Sequence, residues 1–102
     1  MEKELSDLMP FLDGSGRLTQ MPAKHKKKLM ALWYLAGKIE DRRKYTELEM
    51  NDLLDEWTIF HDHATLRREM YNKHLLNRTA DCKFYWRETE IPTLRDFIAS
   101  YV

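Results

Sequence analysis

Three groups of residues in this chain have types and spacings that could do chemistry. The first is a polar ridge, Thr65, Arg68 and Asn72, carried by the stretch His63–His74. With Leu66 set at zero and about 100° per residue, Met70 falls beside Leu66, while Arg68 and Asn72 fall near 200° and 240°. Leu66 and Met70 therefore define a core face. Thr65, Arg68 and Asn72 look outward, with Tyr71 at their edge and Ala64 beside them. These are side chains that read base edges or grip phosphates, although a ridge of this kind is as often just a solvated helix face. Arg67 falls near 100°, on the flank, and is expected to pair with the acidic helix before it.

The second group is basic. Lys24, Lys26, Lys27 and Lys28 follow one another closely, with Arg17 upstream, and Arg78 and Lys83 flank Asp81. Lys24, Lys27, Lys28, Arg78 and Lys83 are the candidates for phosphate contacts at a nucleic-acid surface. A short lysine run is more commonly a solvating face. The third group is His61, His63, His74 and Cys82, whose imidazole and thiolate groups suit zinc. Cys82 has no companion cysteine and the histidines have no closing pair, so neither a metal nor a cofactor is expected.

Asp13-Gly14-Ser15-Gly16 has the start of a calcium loop, but its twelfth position is Lys24, where an acid is needed. The chain has no glycine-rich phosphate loop, no Gly-x-Ser-x-Gly and no His-Glu-x-x-His. No nucleophile stands at a diagnostic distance from a base. Catalysis is not expected.

The elements that must position these residues follow from periodicity. Leu5, Leu8, Met9 and Leu12 suggest a short helix over 2–9, limited by Pro10. The Asp13–Gly16 run is a turn. A helix is predicted from about Ala23 to Gly37, with Leu29, Leu32, Trp33 and Ala36 as its apolar stripe. After an extended link at 42–45, Thr46 with Glu49 three residues on makes a capping box, and Met50, Leu53, Leu54 and Trp57 form a buried stripe. Asp62 is expected to cap the helix that carries the polar ridge. Leu75–Thr79 and Lys83–Arg87, joined by Ala80-Asp81-Cys82, read as a β-hairpin. Beyond Pro92, the residues Leu94, Phe97, Ile98 and Tyr101 repeat a helical stripe.

The fold class is thus mainly α with a small β-hairpin (α+β). The order helix–strand–helix–helix–hairpin is that of a winged helix-turn-helix, here with an extra helix at each end. With 102 residues the chain is one domain. Seventeen basic and seventeen acidic side chains give zero net charge, which excludes a uniformly basic coat and requires any anion site to be local. A single cysteine, the lack of a long apolar run and the acidic start suggest a cytoplasmic protein with no membrane segment.

From Phe11 to Trp86 the sequence resembles a bacterial family, the domain of unknown function numbered two thousand and eighty-seven. The resemblance rests on Phe11-Leu12-Asp13, Gly16-Arg17-Leu18-Thr19, Pro22-Ala23-Lys24 and Tyr34-Leu35-Ala36. It continues through Tyr45-Thr46-Glu47, Glu49, Asn51 and Leu54. The longest block is Ala64-Thr65-Leu66-Arg67-Arg68-Glu69, followed by Leu75-Leu76, Arg78, Asp81 and Tyr85-Trp86. The chain departs from the family beyond Arg87, and at Lys73-His74, where a glycine is usual. The resemblance implies a winged-helix-like fold, found alone or fused behind ArsR-type helix-turn-helix regulators.

Together these readings lead to a DNA-binding winged helix, a transcriptional regulator or its accessory domain, with double-stranded DNA as partner. The alternative is a winged-helix protein-interaction module, favoured by the acids of the second helix. Leu94, Phe97, Ile98 and Tyr101 are expected to form a homodimer interface together with Leu5, Leu8 and Met9. Residues 91–102 would then be dispensable for folding.

Overall fold

The computed structural model describes residues 3–101, with side chains described from Leu5 onward. A 3-10 segment, Lys3–Phe11, leads into α1 (His25–Ala36), β1 (Tyr45–Thr46), α2 (Glu47–Glu56) and α3 (His63–Asn72). The hairpin strands β2 (Leu76–Arg78) and β3 (Phe84–Arg87) follow, and α4 (Leu94–Tyr101) closes the chain. The three strands form one antiparallel sheet in the order β1-β3-β2, with Tyr45 opposite Tyr85 and Arg78 opposite Tyr85 on its other side. Helix order and strand order together give an α+β, winged-helix-like layout. No helix among the described residues is long and apolar enough to cross a membrane.

The capping box forms as the sequence reads. Thr46 Oγ1 accepts from Glu49 N at 3.1 Å, and Glu49 Oε1 accepts from Thr46 N at 2.9 Å. Glu47 and Glu49 then sit in the first turn of α2, at the positive end of its dipole. Its buried residues are Met50 and Leu54, with Leu53 and Trp57 packed at the margin. Thr58, just beyond, is fully buried and satisfies its hydroxyl on Leu54 O at 2.8 Å.

Three local expectations change. The N-terminal segment is a 3-10 helix, not an α-helix; Glu2, its expected start, lies outside the described residues. At three residues per turn, Leu5 and Leu8 stack on one side and are buried, while Met9 turns out to 53% exposure. The central helix starts at His25 rather than Ala23, and Leu35 joins its buried face while Trp33 stays partly exposed. Asp62 makes no side-chain cap. Instead His63 Nδ1 bonds the Asp55 carboxylate at 3.1 Å, so the start of α3 is pinned to the end of α2.

The segment before α1 is sewn to the α2–α3 connection. Asp13 Oδ1 accepts from Ser15 N and Arg17 N, both at 2.9 Å, closing the turn. Gly16 adopts φ +79° there, and a Cβ on it would lie 3.0 Å from the Tyr34 hydroxyl, which donates to Gly16 O. Leu18, fully buried, then pairs with the far loop through Leu18 N to Trp57 O at 2.8 Å and Ile59 N to Leu18 O at 3.0 Å.

The C-terminal stripe lies in the chain's own core. Leu94 and Phe97 are 0% and 1% exposed, and Ile98 and Tyr101 pack at the edge. Two hydrogen bonds strap α4 to α1: Trp33 Nε1 to Pro92 O at 2.9 Å, and His25 Nε2 to Tyr101 O at 2.7 Å. Leu5 and Leu8 are buried as well. The residues expected at a dimer face are therefore a lid. Removing the stretch from Pro92 to Tyr101 would uncover α1.

Two measurements check this fold. Phe97→Ala should lower unfolding free energy by about 3–5 kcal/mol, as truncation of a buried aromatic does. An external α4 would leave the denaturation midpoint of a dilute sample unchanged. The second concerns acid. Hydrogen bonds to backbone N–H groups, from Arg17, Thr46 and Lys83 among others, help to hold the Asp13, Glu49 and Asp81 carboxyls below their ordinary values; at Asp81 the Thr79 hydroxyl contributes most. Their stabilisation is present above the unfolded carboxylate value of about 4 and is lost as pH falls through the lower folded values. Glu49→Gln should thus be less stable than the parent at neutral pH, with the gap closing in acid, by urea unfolding at a series of pH values.

Candidate nucleic-acid interface

The ridge on α3 faces away from the core as its spacing requires. Leu66 and Met70 are buried, Arg68 and Asn72 are exposed, and Thr65 is half-buried. The hairpin runs alongside. Between the two lies a crevice of about 260 Å³. From α3 it takes Arg67, Arg68, Tyr71 and Asn72, and from the hairpin Arg78 and Tyr85.

Each wall is held by specific contacts. Arg67 Nη1 donates to the Tyr85 hydroxyl at 2.7 Å and lies 3.3 Å from a Glu47 carboxylate oxygen. Its guanidinium also sits 5.3 Å from the centre of the Tyr85 ring. The expected pairing of Arg67 with α2 is present, and the same residue reaches β3. Burial raises the Tyr85 phenol above its ordinary value, opposed by the Arg67 charge and hydrogen bond, so Tyr85 stays a neutral partner.

On the other wall, Arg78 stacks 4.5 Å from the Tyr71 ring centre and donates to Cys82 Sγ at 3.0 Å. Cys82 holds φ +61° in the hairpin turn, where Thr79 Oγ1 donates to Asp81 Oδ1 at 2.6 Å. Cys82 thus helps to orient Arg78. His61 and His63 meet at Asp55 instead, with His61 Nδ1 3.6 Å from its carboxylate. Among the described residues no group of three metal-ligating side chains gathers.

The remaining basic candidates do not converge on this crevice. Lys24 is exposed at the start of α1. Lys27 sits 5.9 Å from the Phe11 ring centre. Lys28 lies with Glu69 and Lys73 along the opposite flank of α3. Lys83 is exposed at the hairpin turn, and Arg17 is held by Thr58 O at 3.4 Å. Arg67, Tyr71 and Tyr85 are the crevice residues that periodicity alone did not assign to a site. One signal could have found them: the stretch from Met70 to Ala80 contains no acid, with Arg67 and Arg68 just before it and Arg78 within it.

The sequence model of a family described as an uncharacterized protein conserved in bacteria (DUF2087) matches residues 17–87. The chain belongs to this family. The DUF2087 region begins at Arg17 rather than Phe11 and runs through α1, the sheet, α2 and α3 to Arg87. It therefore contains every residue of the crevice, while the 3-10 segment and α4 lie outside it. Comparison with curated proteins and with solved structures gives no match.

The two neighbouring arginines of α3 should separate cleanly by stability. Arg67→Ala strips a mostly buried donor from Tyr85 and Glu47, and should cost about 1–3 kcal/mol. Arg68→Ala, on the exposed ridge, should fall within about 0.5 kcal/mol of the parent. Urea midpoints at constant slope measure both.

Proposed function

We propose that the protein is a winged-helix module that binds double-stranded DNA, as a transcriptional regulator or the accessory domain of one. The observation that carries this reading is the ridge Thr65, Arg68 and Asn72. Arg68 and Asn72 are exposed and Thr65 half-buried on a helix locked to its neighbours, with Arg68 and Asn72 bordering a crevice whose other wall is a hairpin. An α-helix fits the major groove, and arginine and asparagine carry the bidentate donors and acceptors that groove presents. In this reading Arg68 and Asn72 meet base edges or phosphates, Thr65 supports them, and Arg78 and Lys83 approach the backbone from the hairpin. Lys24 supplies an outlying phosphate contact; Lys27 and Lys28 contribute less, since one stacks on Phe11 and the other shares its crevice with Glu69.

A protein-interaction role is the second reading, and one surface supports it. On α2, Glu47, Glu49, Asp52 and Glu56 are exposed around Leu48, which is 69% exposed. An apolar side chain ringed by acids suits a basic protein partner and repels a duplex.

Titration of labelled random duplex at increasing salt decides between them. Contacts with several phosphates should give a steep loss of affinity between low and physiological salt, and Arg68→Ala should weaken binding by about 1–3 kcal/mol. No binding even at low salt would move the assignment to the protein-interaction role. Equal affinity of the parent and Arg68→Ala would remove the ridge from the interface.

A further inference from the structure

The crevice between α3 and the hairpin gathers charge of a kind that other arginines of the fold neutralise. Arg43 meets Glu40 at 3.2 Å and Glu49 at 3.6 Å, and Arg42 and Arg87 both meet Asp41. In the crevice Arg67 alone follows this pattern, meeting Glu47 at 3.3 Å. Among the described residues, Arg68 and Arg78 have no ion-pair partner, and no acidic side chain lines the walls.

Arg78 is nevertheless fixed. Its contacts are the Tyr71 ring, Cys82 Sγ and Thr79 O at 3.4 Å, all of which orient the guanidinium without cancelling its charge. Arg67, one wall over, keeps its Nε buried without a hydrogen-bond partner. Asn72 adds a neutral amide on the rim. An oriented guanidinium with uncompensated charge, as at Arg78, is what an oxyanion needs, because guanidinium forks match its oxygens in pairs; Arg68, exposed on the facing wall, supplies the second fork.

Size narrows the class. At about 260 Å³ the crevice is smaller than the usual range for a drug-sized ligand, and suits one charged group. Two unpaired guanidinium groups balance two negative charges, as on a phosphate monoester or two neighbouring backbone phosphates. A lone carboxylate would leave one arginine uncompensated.

We propose that the α3–hairpin crevice is a phosphoryl-binding site in which Arg68 and Arg78 hold the phosphate oxygens and Asn72 completes the contact. This site stands whether or not the protein binds duplex DNA. The phosphoryl group belongs either to a duplex backbone or to a free phosphorylated molecule, and the same donors recognise both.

The test is a titration of the intact protein with inorganic phosphate, chloride keeping ionic strength constant, followed by backbone amide shifts. Saturable shifts confined to residues 64–72 and 78–85 are expected, with a midpoint of about 1–10 mM. Arg68→Gln and Arg78→Gln should each raise that midpoint about fivefold or more. Arg68 is exposed, so its variant keeps the fold, and an unchanged urea midpoint verifies this. Shifts that do not saturate below about 150 mM, that centre on Lys24–Lys28, or that survive both substitutions unchanged overturn the site.

Random duplex added to the phosphate-loaded protein then identifies the source. Competition assigns the site to a backbone phosphate. Unchanged duplex affinity, or no duplex binding at all, assigns it to a free phosphorylated molecule. In the last case the duplex reading falls while the phosphoryl site remains.

Discussion

Arg67 joins three elements at one point, and the geometry around the crevice depends on that junction. Its guanidinium belongs to α3, its ion pair reaches Glu47 in the first turn of α2, and its hydrogen bond and ring contact reach Tyr85 in β3. Tyr85 is in turn the residue of β3 that faces Tyr45 on one side and Arg78 on the other. Fixing Tyr85 therefore fixes the sheet against the helix, and with it the gap into which Arg68 and Arg78 project. The junction is strong because it is partly buried, where a charged hydrogen bond is less screened than at the surface. It is also why adjacent arginines have opposite roles. One residue of rotation, about 100°, takes Arg67 into the structure and Arg68 out of it.

Much of the fold was legible because local chemistry and global packing agree along the chain. The Thr46–Glu49 box, the Met50/Leu54 and Leu66/Met70 faces and the hairpin all follow from patterns that tertiary structure had no reason to override. The misses share a cause: apolar spacing does not say what an element packs against. Leu5, Leu8 and Met9 fit an α-helical stripe, but a segment containing Pro10 winds as a 3-10 helix, and the tighter turn moves Met9 off the buried face. The stripe of α4 was equally clear, yet whether it meets its own chain or a second copy depends on whether α1 has an uncovered face. Leu29, Met30, Leu32 and Leu35 are all buried, so α1 needs cover on more than one side.

One backbone conformation was not read from the sequence. His74 adopts φ +61° at the junction between α3 and β2, where His74 N bonds Tyr71 O at 3.1 Å and Leu75 N bonds Met70 O at 2.9 Å. A left-handed residue ending a helix is normally glycine, which pays no steric penalty there; a side chain costs about 1–2 kcal/mol. The strained His74 marks this turn. That turn sends the chain from α3 directly into β2, keeping ridge and hairpin side by side.

Zero net charge requires any anion site to be local, and the pairing pattern indicates where such a site could lie. Acids and bases balance over the whole chain, but they are not evenly interleaved. Carboxylates concentrate on α2 and around Glu40-Asp41, where they meet Arg42, Arg43, Arg67 and Arg87. The stretch from Met70 to Ala80 has none. With surface charges screened over about 8 Å at physiological salt, the potential in the crevice is set by its own residues and not by the total. Apart from Glu47, which meets Arg67, the acids of α2 lie outside the crevice lining and would act on the orientation of any polyanion bound at the proposed site. On the proposed reading, a neutral protein built this way would have one face suited to phosphate and another that turns phosphate away.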